Sequence, residues 1–372
     1  MLDATQKLLG DHHLEENRAL STLSCLIAAL IKMAGNQAMV SKTPTVEEVI
    51  DQQEALYKKF AVFCPPDLLP RLPAPACDEA ALKSALQSLV VPGLAPLWRD
   101  PCTLGFAHQY FCAARRIAAQ KHLQQANKGL SAEQLAAFTQ LYTPGWVIDF
   151  LLANTVLAQW QAKAGAEQSS ARDEATLTDI SRFLLGDQGA DPGAHGDHSL
   201  PAQELTVLDP ACGAGNFLVR AFDLLFLLYR HEGYATDEAL NAVLNNNLVG
   251  ADIDAAALWV TAMGLFLQCS LRSEKAPLAK PNLVWVGEEK NLLGSLSKEF
   301  CTIAGHPLGR RKYAAVVTNP PYIGRKLLSR ELKLALKSQY PSGHHDLCAA
   351  FLVDGLQRLQ PHGRLGFITQ SS

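Results

Sequence analysis

The sequence predicts an α/β protein: a parallel, doubly wound sheet over residues 131–372, preceded by a helical N-terminal domain over residues 1–130. Three observations carry this. Short β-rich runs recur from residue 205 onward: LTVLD (205–209), LVGAD (248–252), LVWV (283–286), AAVVT (314–318) and RLGFIT (364–369). Helical runs such as NFLVRAFDLLFLLYR and AAALWVTAMGLFLQC separate them. Strands alternating with helices build a parallel sheet, and such sheets bind ligands at the carboxyl ends of their strands. The chemically informative motifs sit just past strands, as that architecture requires.

The N-terminal elements follow from local signals. Thr45 with Glu48 forms a capping box at the start of VEEVIDQQEALYKKF. Pro65, Pro66, Pro70, Pro73 and Pro75 break the chain into a loop. A second helix starts near Asp78, and another covers residues 106 to about 125. The latter carries Arg115, Arg116 and Lys121, which read as a solvated face or, as the lesser alternative, as phosphate contacts. The apolar run 23–31 ends at Lys32 and is too short to span a bilayer, so a buried helix is expected there. Past residue 131, the helical segment AEQLAAFTQ meets LYTPGWVIDFLLANTVLAQW. Residues 162–203 are polar and rich in Gly, Ala, Asp and His, which marks a flexible surface insertion with one short helical piece at ISRFLL. His195, Asp197 and His198 lie isolated within it, and no metal site is assigned to them.

Composition sets limits. The chain has 372 residues, 48% of them hydrophobic, which is enough for a sizeable core. A formal net charge of −3 is not that of a basic DNA-coating protein, but it is compatible with nucleic acid held in one local groove. Nine scattered cysteines without a CxxC pair argue against a disulfide framework and a structural zinc site, and point to a reducing cytoplasm. The first residues lack the pattern of a signal peptide.

The first strand runs into Asp209-Pro210-Ala211-Cys212-Gly213-Ala214-Gly215-Asn216-Phe217. Two glycines permit a tight turn and close approach of a ligand to the backbone. A helix follows at once, so its free N–H groups face that ligand. The loop is neither GxGxxG nor a GK[ST] phosphate loop, and the missing lysine argues against a triphosphate. Asp209 places a carboxylate where a cationic ligand would sit. S-adenosylmethionine, with its sulfonium and ammonium, suits such an acidic rim. The second strand ends in Gly250-Ala251-Asp252-Ile253-Asp254. Asp252 is the candidate to accept the ribose hydroxyls, as the acid at this position does in dinucleotide folds, and Asp254 is placed to cap the next helix. The spacing from Asp209 exceeds the usual figure of about 20 residues, because DEALNAVLNNN inserts a further helix. After the third strand, Glu288, Glu289 or Asn291 would read the adenine edge of the cofactor.

The fourth strand ends in Asn319-Pro320-Pro321-Tyr322. An aromatic exocyclic amine is a poor nucleophile, because its lone pair is delocalised into the ring. Two acceptors aimed at its N–H groups free that lone pair, and the Asn319 side-chain oxygen and Pro320 carbonyl are suited to the task. Pro320 and Pro321 stiffen the loop so that the acceptors are in place before reaction. Tyr322 offers a face on which a base stacks. The remaining requirement is alignment of the amine with a methyl donor. In this fold the first and fourth strands are neighbours, so the glycine loop and Asn319 should share one crevice.

With these motifs in this order, the sequence resembles the γ-class N6-adenine DNA methyltransferases, in which a YTP segment precedes the cofactor loop. Here that segment is Gln140-Leu141-Tyr142-Thr143-Pro144, followed by the 209–215 loop, Asp252 and Asn319 to Tyr322. The run from Asp346 to Phe351 and then PHGRLGFIT resembles the family's next helix and fifth strand, with Cys348 where a tyrosine is often found. The resemblance covers roughly residues 130–372. It implies a Rossmann-like methyltransferase sheet, S-adenosyl-L-methionine as cofactor, and methylation of adenine N6 in DNA. It also implies that Thr143 contacts the methionine carboxylate. The cofactor-binding set is then Tyr142, Thr143, Pro144, Asp209, Pro210, Ala211, Gly213, Gly215, Asn216, Phe217, Asp252, Ile253 and Asn291. The helical N-terminal domain adds a likeness to the large methylases of type I and type IIG restriction–modification and of BREX- and DISARM-type phage defence. Two alternatives stand beside this: an NPPY methyltransferase acting on RNA or protein glutamine, and a non-catalytic cofactor-binding subunit. The sequence ends at Ser372, just past the fifth strand, where this fold adds further strands and DNA enzymes add a recognition domain. The expectation is a fragment or split subunit, with target recognition supplied by another polypeptide or a missing C-terminal part, and no membrane partner.

Overall fold

The computed structural model describes residues 15–35, 44–75, 79–113, 115–118, 143–160, 177–185, 200–275, 277–288, 291–299 and 312–369, together with Ala4, Leu8, Lys121 and Leu308. Five strands, β1 (Val207–Asp209), β2 (Leu248–Asp252), β3 (Asn282–Trp285), β4 (Tyr313–Thr318) and β5 (Leu359–Phe367), form one sheet of order β3-β2-β1-β4-β5. Every pairing is parallel. The strand order reverses between β1 and β4, where Val207 faces Ala315 and Leu208 faces Val316. That pairing is the neighbour relation expected from the sequence, and it opens a crevice at the carboxyl ends of the two strands.

Strand bounds depart from expectation by more than one residue at two places, β1 and β5. β1 begins two residues late because Leu205 closes a 3-10 turn, its N–H donating to Ala202 O. β5 begins at Leu359 rather than residue 364. The PHG stretch is taken into the strand with His362 at φ 63°, and the register to β4 shifts between Tyr313 and Ala315.

The sheet is covered on both faces. Val207, Leu248, Ala315 and Val317 point into one core, and Leu208, Val249, Ala251 and Val316 into another. This alternation follows from the two-residue period of a strand.

The helices are α1 (Glu16–Gly35), α2 (Val46–Phe63), α3 (Glu79–Leu89), α4 (Thr103–Phe111), α5 (Gly145–Thr155), α6 (Asn216–His231), α7 (Thr236–Ala242), α8 (Ala255–Ser270), α9 (Arg330–Gln339) and α10 (Leu347–Arg358). α7 is the extra helix expected between Asp209 and Asp252. α2 starts with the expected capping box: Thr45 Oγ1 accepts from Glu48 N at 3.2 Å, and Glu48 Oε2 accepts from Thr45 N at 2.7 Å.

α8 is apolar all round, and every residue from Ala256 to Ser270 is buried. A helix of that composition needs a layer on each side. The sheet and α6 supply one, and α1, α2 and α4 supply the other. Phe60 of α2 meets Trp259 edge-on at 4.9 Å and Phe266 at 5.8 Å. α1 is long and apolar enough to cross a membrane by length and composition, but it lies largely buried against α2, α4 and α8. Its Lys32 is buried, donates to Ser270 O at the end of α8 and pairs with Glu274 at 3.1 Å, an arrangement suited to a helix carboxyl terminus. Arg115 pairs with Glu16 of α1.

Residues 161–176 and 186–199, including His195, Asp197 and His198, lie outside the described residues, as do residues 131–142 with the AEQLAAFTQ segment. The piece at 177–181 is helical, as expected, and Asn154 holds it through Phe183 O and Leu185 N. Trp160 and Leu200 form a parallel bridge, with Leu200 N donating to Gln159 O at 2.7 Å. Trp160 Nε1 and Ala202 N both donate to Glu232 Oε1, at 3.0 and 2.7 Å.

Candidate active site

The glycine loop leaves β1 and turns into α6. Gly213 and Gly215 hold φ of 53° and 81°, left-handed values that favour glycine. A Cβ on Gly215 would lie 2.5 Å from Thr261 Cγ2 of α8, whereas a Cβ on Gly213 would meet nothing within 4 Å. Gly215 is therefore packed against the protein, and Gly213 faces open space at the α6 amino terminus. Thr261 Oγ1 approaches Gly213 O at 2.9 Å and Ala257 O at 3.0 Å, and Ser295 Oγ donates to Pro210 O at 2.5 Å. Sequence reasoning missed both residues. The available signal for Thr261 is a polar residue in the first half of a helix whose other residues there are apolar.

Two carboxylates sit beneath and beside this loop. Asp209 is buried rather than on the rim, and its Oδ1 accepts from Ala211 N at 3.1 Å. Burial pushes its carboxyl up to about 7, against the lowering pull of the Thr318 side chain and the Ala211 N–H. Asp252, at the end of β2, is partly exposed. Its Oδ2 accepts from Gly213 N at 2.7 Å and its Oδ1 from Asp254 N at 2.9 Å. Burial raises Asp252 to about 6, opposed by the Asp254 N–H and reinforced by the Asp254 charge. Each oxygen keeps a further lone pair, so the carboxylate can still accept from a diol. Asp254 caps α8, accepting from Ala256 N at 2.9 Å and Ala257 N at 3.2 Å, as its position after the strand suggested.

Other sequence candidates are placed differently. Phe217 is buried in the core, leaving its backbone as the part near the crevice. The Asn216 side chain turns toward Gly105 of α4, where a Cβ would lie 2.2 Å from its oxygen. Asn291 donates through Nδ2 to Val286 O at 2.9 Å and Gly294 O at 3.1 Å, which ties its own loop. Glu288 is exposed; Glu289 and Tyr142 lie outside the described residues. Pro144 precedes α5 at its amino-terminal cap.

At the end of β4, Asn319 Nδ2 donates to Thr143 Oγ1 at 3.1 Å, and the Tyr322 hydroxyl donates to Asn319 Oδ1. In this arrangement the amide oxygen points toward Tyr322. Thr143 is itself buried. The ion pair between Arg220 of α6 and Asp149 of α5, with Nε to Oδ1 at 3.0 Å, braces the helix after Thr143 against the helix after Gly215. Thus Thr143 and Asn319, far apart in sequence, meet at one end of the sheet, and β1 beside β4 carries the glycine loop to the same end.

Residues 246–372 match the family model described as Eco57I restriction-modification methylase. That stretch runs from just before β2 through the asparagine motif to the end of the chain. Over most of its length the chain is similar to two proteins named adenine-specific methyltransferases. BrxX of Escherichia coli O9:H4 (strain HS) is 22% identical over 433 residues, covering 87% of this chain and 34% of that protein. PglX of Lacticaseibacillus casei (strain Zhang) is 25% identical over 343 residues, covering 72% of this chain and 28% of that protein. The chain therefore spans about a third of the length of these relatives. Among solved structures, the Type IIL restriction-modification enzyme MmeI in complex with DNA aligns over 98% of this chain and 49% of its own, with 16% identity and a TM-score of 0.45.

Proposed function

We propose that this chain is the catalytic part of an adenine-specific DNA methyltransferase of a restriction–modification or phage-defence system. The observation that carries this is the setting of Asn319. Thr143 takes its amide nitrogen, which leaves its oxygen as an acceptor, and Tyr322 supplies a hydroxyl donor to that oxygen. A hydroxyl donor there marks the position that an N–H of a target amine would take. The names of the matched family and of BrxX and PglX support the choice of DNA adenine.

The crevice fits S-adenosylmethionine on its own features. Gly213 leaves open space at a helix amino terminus, Asp252 keeps acceptor capacity for a ribose diol, and buried Asp209 lies below, where a bound cation would favour its ionised form. When bound, that cofactor supplies the methyl group. The residues of the chain do the rest. Asn319 Oδ1 and the Pro320 carbonyl accept the two amine hydrogens, the proline pair holds both acceptors still, and Tyr322 stacks on the base. A base inside a duplex cannot reach Asn319, so it enters flipped out or from a single strand.

The segment after the motif supplies a surface for the strand. Arg325, Lys326, Arg330 and Lys337 are exposed and Lys333 is partly so, with Glu331 the single acid among them. Phosphate contacts from this face would be salt-sensitive and largely blind to sequence. Site selection is then assigned to a further polypeptide or a C-terminal part of the protein, and the setting to the cytoplasm. The division near residue 130 and the insertion at 162–203 are kept as the proposed organisation.

Mass spectrometry of bases after incubation with S-adenosylmethionine and DNA, in the presence of the partner or the full-length protein, tests this reading. N6-methyladenine in DNA supports it. Methylation of RNA or of glutamine instead, or no transfer by the complete assembly, would overturn it.

A further inference from the structure

We infer that Arg71, from the N-terminal helical layer, is a positioning residue for the ribose end of the cofactor crevice. This rests on the cofactor reading above. Four contacts form a chain to it. The Arg71 guanidinium lies 3.4 Å over the Trp285 ring centroid, a stacked cation–π arrangement. Arg71 is itself tethered, its Nε donating to Asp67 O at 2.9 Å. Trp285 is the last residue of β3 and the register partner of Asp252. Its indole Nε1 donates to Ile253 O at 3.0 Å, the residue directly after Asp252. The next residue along, Val286, donates its N–H to Asp252 O at 3.0 Å.

The space around this tie is closed. A Cβ on Gly287 would lie 2.2 Å from Ile253 O and 2.8 Å from Trp285 Nε1, so the β3 exit presses on the Ile253–Asp254 peptide, whose N–H donates to Asp252 Oδ1, without room for a side chain. The carboxylate of Asp252 is thus held through Oδ2 by Gly213 N and through Oδ1 by Asp254 N, and the peptide that carries the second donor is itself held by Trp285. Arg71 covers Trp285 from the N-terminal layer and limits tilting of the indole. If the indole tilts, its N–H leaves Ile253 O, and the peptide whose N–H orients the Asp252 carboxylate loses a constraint. Arg71 touches neither cofactor nor substrate in this scheme. It acts through Trp285, and it makes the N-terminal layer part of cofactor affinity.

The test measures S-adenosylmethionine binding by calorimetry for the intact wild-type chain and for Arg71→Ala, Arg71→Lys, Trp285→Phe and the double variant Arg71→Ala/Trp285→Phe, with thermal melts beside them. Arg71→Ala is expected to weaken binding by ~3- to 10-fold, the scale of one partly exposed cation–π contact. Arg71→Lys should recover part of this, since it keeps a cation over the ring. Trp285→Phe should weaken binding at least as much, and the double variant no further, because both act on one path. In the assembled enzyme, Arg71→Ala should raise KM for the cofactor and leave kcat in place. Unchanged affinity in a folded Arg71→Ala chain, or fully additive effects in the double variant, would overturn the inference while leaving the cofactor reading standing. Absence of binding by the wild type would overturn both.

Discussion

Asn319 makes two hydrogen bonds of opposite sense, and that asymmetry decides what each neighbour does. Thr143 accepts from the amide nitrogen, which leaves the oxygen facing Tyr322. Tyr322 gives its hydroxyl to the oxygen, which a target amine must then displace. Replacing Asn319 with Ala should abolish methyl transfer with cofactor affinity nearly intact; wild-type transfer in that variant would remove the mechanism. Tyr322→Phe keeps the ring and removes the competing hydroxyl, so it should retain activity. Tyr322→Ala loses stacking worth about 1–3 kcal/mol per base and should fall well below it in the same transfer assay. The two carboxyls add a pH signature. Asp209 is raised to about 7 and Asp252 to about 6. A folded-state value above the unfolded one means that the folded chain holds the proton more tightly. The resulting stability is fully present below the ordinary carboxylate range, and is lost as pH rises through about 6 for Asp252 and about 7 for Asp209. Cofactor binding acts in the opposite direction, because a cation and ribose hydroxyls favour ionised carboxylates. S-adenosylmethionine should therefore bind more weakly as pH falls from 8 to 6 and release protons on binding near pH 6.5. Calorimetry in buffers of different ionisation enthalpy reads that release, and none at pH 6.5 would contradict the placement of the two acids.

Among the elements, the turn from β1 into α6 is the most tightly specified. Gly215 sits at φ 81° with Thr261 behind it. Its replacement by Ala combines a left-handed backbone, about 1–3 kcal/mol, with a clash that Thr261 relieves only by leaving Gly213 O. A lower melting temperature together with weaker cofactor binding is expected. A variant as stable and as tight as wild type would show the turn to be less constrained than described. Much of this level was legible in the sequence. β2 is legible to the residue because its five apolar or acidic positions end in an acid, and Asp254 is legible as a cap from position alone. Asp252 and Asn319 stood out because each follows a strand. Thr261, Ser295 and Asn247 did not, since their partners are far away in sequence: Asn247 Nδ2 donates to Ala202 O and Leu205 O, at 2.7 and 2.9 Å. The start of β5 was misplaced because Pro361 and Gly363 read as a break, while the bulge opposite Tyr313 and Ala315 absorbs them. The burial of Asp209 also escaped notice. A carboxylate at a strand end looks the same in sequence whether it lies on the rim or below it.

For the molecule as a whole, α8 joins what the sequence separates. Its helix is buried from Ala256 to Ser270, and the side away from the sheet is closed by residues from before position 130. Residues 131–372 produced alone would present that apolar side to water, at about 1.5–3 kcal/mol for each large side chain uncovered. They are expected to aggregate or to bind hydrophobic dyes. Phe60→Ala in the intact chain tests the same contact. Loss of its edge-on packing on Trp259 and Phe266 should destabilise by about 3–5 kcal/mol in denaturant unfolding. A change below 1 kcal/mol would show that the two layers hold together without it. The crevice beside β1 and β4, in contrast, draws on strand ends and loops that such a variant leaves in place.

The bridge between Trp160 and Leu200 gives this fold a port for length variation. Both ends of the intervening segment are fastened to the body: Leu200 N to Gln159 O, and Trp160 Nε1 and Ala202 N to the same oxygen of Glu232. Gln159 is anchored in turn, its Nε2 donating to Ala314 O of β4 at 2.9 Å. Chain that leaves and returns through one fastened gate exerts little leverage on what lies inside it, and the entropy of closing such a loop changes only slowly with its length, by about 0.6 kcal/mol per doubling. Residues 161–176 and 186–199 should therefore each be replaceable by a short glycine–serine tether, with 177–185 and its bonds to Asn154 left in place and the melting temperature and cofactor affinity retained. The same gate would accept a fluorescent protein or an affinity module without disturbing Thr143 or Asn319, which makes it a practical place for a reporter.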